Sequence, residues 1–195
     1  MIDWARVAAW TEAVLNEDLD EIVRVFIQHG AGAPVVIWTP GQEQLRSEPP
    51  RHVLAHWSKR AAGSRLPGYR EVDPLDLRLA LGYVLLLDVV EDGRDFRYRL
   101  FGSAISSVSG FDLTGKLLSE HPASAYVAEF SIAVGRAAVR RREPIYTVRR
   151  PVGAQDTSLW ERLVLPLVDD EDRVVRLLVV ATPLDRDGQL IRMAY

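Results

Sequence analysis

Residues 95–110 read DFRYRLFGSAISSVSG, and the change in the spacing of apolar residues within this stretch decides the fold. Before Gly102, apolar side chains alternate with polar ones, which predicts a β-strand. The apolar face of this strand is predicted to consist of Phe96, Tyr98 and Leu100. After Gly102 the apolar residues take helical spacing, and Gly110 is placed to end a short helix. A strand that runs directly into a helix in mid-chain predicts a sheet with one face under helices.

Two other segments, Tyr83–Val90 and Val174–Ala181, are apolar on both faces, which is typical of central strands. Asp88, the one polar residue of the first segment, is expected to form a structural ion pair with Arg97 or Arg176. Tight turns predict hairpins between strands one and two, three and four, and four and five. The five predicted antiparallel strands, in spatial order 2-1-5-4-3, are residues 83–90, 95–101, 145–152, 159–168 and 174–184.

Apolar residues at three- and four-residue spacing predict helices over residues 3–28, 51–62 and 123–142. The first is either one helix or two, since Asn16 could begin a second one. It is predicted to cover the sheet face that the other helices leave open. The chain thus divides into a helical extension and connector (1–48), a central domain (49–184) and a polar tail (185–195). Inside the connector, residues 35–38 are either a short strand or a segment lying across the core.

The composition is that of a soluble globular protein of 195 residues with a net charge of −3. This charge and the absence of a recognition motif disfavour nucleic-acid binding. There is no cysteine, which excludes disulfides, iron–sulfur clusters and thiol-linked chromophores. No signal peptide and no apolar run long enough to span a bilayer are present, so a cytoplasmic protein is expected.

Four stretches resemble the small stand-alone bacterial PAS-domain proteins: HWSKRAAGSRLPGYREVDPLDL, GYVLLLDVVEDGRDFRYRLFGSAI, GFDLTGKLLSE and WERLVLPLVDDEDRVVRLLVV. The resemblance covers about residues 50–184. It implies the α+β PAS fold and a signal-sensing or protein-interaction module in bacterial signal transduction, without enzymatic activity of its own. The family pattern provides no ligand residues that transfer to numbered positions here.

The resemblance suggests several cofactors, and each can be checked against the residues that it requires. A flavin photosensor of the light–oxygen–voltage kind needs a cysteine, which is absent, and haem needs an axial ligand. Residues 123–142 contain no histidine, so haem is disfavoured, with His121 the residue to check. His52 and His56 have the spacing of a zinc pair but no third ligand, so no metal is predicted. The cofactor stays unknown: a small metabolite, a fatty-acid-like molecule or no ligand.

A candidate ligand pocket lies between the sheet and the helices. Its predicted lining is Leu87, Tyr98, Leu100, Val108, Phe130, Val134, Tyr146, Trp160 and Leu163. Glu161 is expected nearby as a polar group. The competing interpretation, that these side chains only fill a core, is favoured because no convergent polar groups are evident.

The N-terminal helix is the predicted partner surface, for a homodimer or for a signalling protein such as a histidine kinase or a nucleotide-cyclase-type enzyme. Its proposed contact residues are Trp4, Val7, Trp10, Val14, Ile22 and Phe26. The alternative is that they only cover their own domain. A basic run, comprising Arg136, Arg140, Arg141, Arg142, Arg149 and Arg150, suits a helix C-terminus. It would also suit a phosphate-rich ligand or an acidic partner.

No catalytic residues are predicted, because no triad, paired carboxylates or phosphate loop appears. Two alternatives stay open. One is a small enzyme that uses Glu161 or Asp88 with Tyr98 in a cavity under the helices. The other is a carrier for an apolar molecule.

Overall fold

The two segments that are apolar on both faces lie side by side at the centre of a sheet. The structure, a computed structural model, describes residues 1–61, 65–122, 124–152 and 157–191. Strands β2 (Val84–Val90) and β6 (Val174–Leu184) pair antiparallel, with Leu85 opposite Val179. This central pairing confirms the prediction on which the strand order depended.

The full sheet has six antiparallel strands in the order β1-β4-β5-β6-β2-β3. The other four strands are β1 (Val35–Trp38), β3 (Asp95–Phe101), β4 (Ile145–Arg149) and β5 (Leu159–Val168). The predicted order of five strands is confirmed. The predicted number is one too few, because residues 35–38 form a strand that pairs with the outer edge of β4.

Four helices form the layer on the first face of the sheet: α1 (Trp4–Asn16), α2 (Asp20–Gln28), α4 (Ser103–Ser109) and α5 (Ala125–Arg141). Helix α4 ends at Gly110, which has a φ of +81°, as the sequence predicted. Helix α5 packs on the sheet, and α1 and α2 pack on α5. Residues 3–28 are therefore two helices, and Glu17, with a φ of +60°, ends the first.

The second face of the sheet is covered by α3 (Glu48–Arg60) and the loops on either side of it. Val53, Leu54 and Trp57 of α3 form a separate core with the sheet. The prediction of helices on one face with the N-terminal helix over the other is therefore wrong. Helix α3 occupies the second face, so α1 cannot cover it. Helix α1 packs instead on the apolar surface of α5.

Asp88 forms the ion pair that the sequence predicted. Its carboxylate accepts hydrogen bonds from Nε of Arg176, at 2.9 Å, and from Nε of Arg99, at 3.0 Å. Arg97, the other suggested partner, donates to the carbonyl of Gly115. Asp88 is thus a structural residue on the surface of the central strands.

The first part of the C-terminal tail folds back on the end of β6. A turn at residues 185–188 brings Ile191 back to the carbonyl of Pro183, at 3.0 Å. None of the described helices combines the length and apolar character needed to cross a bilayer.

Candidate ligand cavity

A cavity of about 480 Å³ lies between the first face of the sheet and helices α4 and α5. Small-molecule sites in proteins typically occupy roughly 300–1,000 Å³, so this volume suits a ligand. Its aromatic walls are Tyr98, Phe101, Phe111, Tyr126 and Trp160. Its polar groups are Ser109, His121, Ser124, Arg149, Thr157 and Arg162.

The structure places three of the nine predicted pocket residues, Tyr98, Val108 and Trp160, in the lining of this cavity. Three others surround a separate void of about 10 Å³ under the middle of α5. These are Leu87, Phe130 and Val134. They fill the core beside the cavity, as the competing interpretation expected.

Leu100 does not reach the cavity, because β3 carries a bulge. The pairing with β2 shifts between Leu86 and Leu87, so that Leu86 lies opposite Leu100 and Leu87 opposite Tyr98. An extra residue in a strand breaks the alternation of its side chains. Leu100 is 40 % exposed, and Phe101 takes the inward position that the simple alternation gave to Leu100.

Tyr146 and Leu163 face the other side of the sheet, in the core under α3. They lie opposite each other in the β4–β5 ladder, on the face away from the cavity. Glu161 is on the same side, and its carboxylate accepts from four donors. The donors are the Arg46 amide (2.5 Å), Ser47 Oγ (2.6 Å), Thr182 Oγ1 (2.9 Å) and Tyr146 Oη (3.0 Å).

These placements separate the acids from Tyr98. Glu161 is completely buried on the far face, and Asp88 is held by two arginines. The structure therefore does not bring together the residues of the enzyme alternative.

Two arginines supply convergent polar groups. The sequence analysis named Arg149 in the basic run but did not place it in the pocket, and it missed Arg162. Arg149 is the last residue of β4, and Arg162 lies on β5, diagonally across the same face. Arg162 donates to Ser131 Oγ at 2.8 Å. The Nε atoms of both arginines are buried without a hydrogen-bond partner. The available signal was Trp160-Glu161-Arg162, an arginine two positions from an inward tryptophan.

Burial changes the proton affinity of the cavity's titratable groups. Desolvation, with a smaller effect from the charge of Arg162, lowers the pKa of Arg149 to about 10. Burial raises the pKa of Tyr98 to about 12. Burial first, and then the charges of Arg162 and Arg149, lowers the pKa of His121 to about 4. At neutral pH the cavity therefore holds a positive charge, a phenol and a neutral imidazole.

The predicted partner surface is inside the molecule. Val7, Trp10, Val14, Ile22 and Phe26 have no exposed surface and pack in the core with α5, and Trp4 is half-buried. The alternative, that these helices cover their own domain, describes what the structure shows. The expectation of an exposed contact surface at these residues is corrected, because α5 provides the apolar partner.

The remaining candidate groups have structural contacts. The rings of His52 and His56 lie 4.5 Å apart, and Nε2 of His52 contacts the carbonyl of Asp76 at 2.6 Å. No group of three potential metal ligands occurs within the described ranges. In the basic run, the arginines at the end of α5 bind acids and carbonyls of the same chain. Arg140 pairs with Glu12, Arg141 with Glu17 and Arg142 with Asp172.

Comparisons with known proteins give one family and one solved structure. The profile of the family described as "PAS domain" matches residues 45–181. The solved structure is titled "Structure of an RNA-binding Light-Oxygen-Voltage Receptor". It is 14 % identical over 65 % of this chain and 37 % of that chain, with a TM-score of 0.40. RNA binding is a property of that receptor, and the absence of nucleic-acid binding stays a prediction for this chain. A search of curated proteins gives no match.

Proposed function

This chain belongs to the PAS-domain family, and on that premise we propose that it senses a small molecule bound between its sheet and helices α4 and α5. PAS domains generally act as sensory signalling modules. The observation that carries the proposal is the cavity of about 480 Å³, whose walls are aromatic and whose polar groups converge from two strands and the segment before α5. That combination is typical of small-molecule sites.

Tyr126 supports a route from the cavity to the N-terminal helices. Its ring lines the cavity and also meets Phe26 of α2 edge-on, with the ring centroids 5.0 Å apart. His29, which follows α2, stacks on the same ring at 4.2 Å. A ligand that favours one position of Tyr126 would shift the packing of α2, through its different affinity for the two arrangements.

Helix α1 is joined to α5, the helix that carries Tyr126, by a buried carboxylate. Glu129 of α5 accepts from the amide of Asp3 at 2.9 Å and from Arg6 Nη1 at 3.0 Å. Displacement of α5 would therefore move both N-terminal helices. This coupling favours a sensor over the second candidate, an apolar-molecule carrier, which needs the cavity but no coupled helices.

A cytoplasmic location, a homodimer and a partner such as a histidine kinase or a nucleotide-cyclase-type enzyme belong to this proposal. Since the core residues of α1 and α2 are buried, a dimer or partner would contact other parts of the surface. Light scattering of the purified protein tests for the homodimer directly.

The cavity itself is tested with N-phenyl-1-naphthylamine, a neutral apolar probe that fluoresces when it leaves water. We expect saturable binding to the wild-type protein. Ala181→Leu, which adds volume inside the cavity without changing charge, should weaken the binding by roughly tenfold or more. Ala9→Leu, on the exposed side of α1, is the matched control and should leave the affinity unchanged. No binding, or equal binding by Ala181→Leu, would contradict the proposal.

Hydrogen exchange of the probe complex separates a sensor from a carrier. A sensor predicts that binding slows amide exchange both in Ala125–Arg141 and in Asp20–Gln28. A change confined to the helix that lines the cavity would favour the carrier.

A further inference from the structure

The two cavity arginines are charged groups for which the described residues supply no counter-ion. No acidic side chain is among the described residues that line the cavity, and neither arginine forms an ion pair within the described part of the chain. Ser131 Oγ is a neutral acceptor for Arg162, and no described group accepts from Arg149. Both arginines are half-buried, and their Nε atoms are buried without a partner. Charged groups withdrawn from water are normally paired, so two arginines on one wall with no counter-ion among the described residues are an arrangement that an anion would complete.

The register of the sheet makes the pair a single site. Arg149 lies opposite Trp160, and Arg162 is two positions further along β5, so both side chains lie on one face as diagonal neighbours. The charge of Arg162, after desolvation, contributes to the lowered pKa of Arg149, as expected for two guanidinium groups on one face. With a pKa of about 10, Arg149 is still charged at neutral pH.

We infer that the ligand is a small organic anion, with an aromatic or aliphatic body and one oxyanion head held between Arg149 and Arg162. The inference rests on the proposed function and names its ligand class. The body would lie against Tyr98, Phe101 and Trp160, which form apolar walls beside the two arginines. Planar guanidinium groups bind carboxylate, sulfonate and phosphate through paired hydrogen bonds, so all three heads share the chemistry.

The test compares two probes that differ in one charged group. 1-Anilinonaphthalene-8-sulfonate has the ring system of N-phenyl-1-naphthylamine plus a sulfonate. Arg149→Met and Arg162→Met should each weaken binding of the sulfonate probe roughly 10- to 100-fold, the usual range for a lost charged hydrogen bond. Binding of the neutral probe should change by less than about threefold.

Two variants control for charge and position. Arg150→Met removes the same charge from the neighbouring exposed residue, and it should leave both affinities unchanged. Arg149→Lys keeps a positive charge but loses the planar guanidinium that donates paired hydrogen bonds, so it should retain part of the sulfonate affinity. Displacement of the sulfonate probe by benzoate or by phenyl phosphate, against benzyl alcohol as the neutral analogue, identifies the preferred head.

Thermal unfolding of the ligand-free variants excludes a structural role for the arginines. Since no described residue accepts a hydrogen bond from Arg149 and would be left unpaired by its removal, Arg149→Met should melt at the wild-type temperature or higher. A large fall in melting temperature would show a structural arginine and overturn the inference. Unchanged sulfonate binding by both methionine variants would also overturn the inference of an anionic ligand. In that case, binding of the neutral probe to the wild type would still support the proposed function. Failure of both probes to bind the wild type would remove the proposed function instead.

Discussion

At the scale of single residues, the imidazole of His121 carries the pH dependence of the cavity. It lies where the chain enters α5, beside the ring of Phe111 and near two arginines. Burial and the two positive charges lower its pKa from 6.5 to about 4. The folded state therefore binds this proton more weakly than the unfolded state, which takes it up as the pH falls below 6.5.

Acid should consequently destabilise the protein through His121. Between pH 7 and pH 5 the free energy of unfolding should fall by about 2 kcal/mol from this residue alone, and further down to pH 4. Urea unfolding at each pH measures the loss, and His121→Gln should abolish this part of it. Parallel curves for wild type and His121→Gln would contradict the assignment.

At the scale of elements, the position of α5 depends on its contact with the central strands. The helix passes close to the sheet at Gly135. A Cβ added there would lie 2.7 Å from Cε2 of Phe96 and 3.3 Å from Cδ1 of Leu177. Only a residue without a side chain permits this approach, and the same helix carries Tyr126 and Val127 of the cavity wall.

Gly135→Ala tests this packing by the sign of its effect. In an uncrowded helix the substitution would stabilise the protein by about 1 kcal/mol. Here we expect a net destabilisation of about 1–3 kcal/mol, because the ring of Phe96 must move. Chemical denaturation measures the free energy of unfolding of the wild type and of the variant. Phe96→Leu should relieve the clash, so the double variant should be more stable than the sum of the single effects predicts. A stabilising Gly135→Ala would contradict the close approach.

At the scale of the whole molecule, the N-terminal helices are the outer layer of the domain and not a separable extension. Their core side chains share one apolar cluster with α5 and the first face of the sheet. Burial of five such side chains is worth about 10 kcal/mol, which is comparable to the entire stability of a typical domain.

Deletion of residues 1–28 should therefore prevent formation of a stable monomer. We expect aggregation or a loss of cooperative unfolding, measured by light scattering and urea titration. Two adjacent residues provide a milder, matched comparison. Phe26→Ala, at a fully buried position, should cost about 3–5 kcal/mol, and Ile27→Ala, at a position 59 % exposed, should change stability by about 0.5 kcal/mol or less. A cooperative, monomeric truncated chain would contradict the buried-layer assignment.

Periodicity and turn chemistry in the sequence determined the elements of this protein and much of their arrangement. Strands that are apolar on both faces had to be central, and hairpin turns then ordered their neighbours. The helix after Gly102 and its end at Gly110 followed from local rules. Tyr98, Val108 and Trp160 line the cavity, on the side of the sheet and helices that the periodicity of these elements predicts.

Only the tertiary structure decided how separate stretches meet. Because of the bulge in β3, Phe101 and not Leu100 faces the cavity, and strand alternation alone could not reveal the extra residue. The apolar faces of α1 and α2 pack on α5, and this could not be read from the sequence, because apolar periodicity identifies the buried face of a helix but not the element that buries it. Arg149 and Arg162 converge because the β4–β5 register makes them diagonal neighbours under the same helices. A charge site built across two strands is therefore a property of the folded sheet, not of either segment.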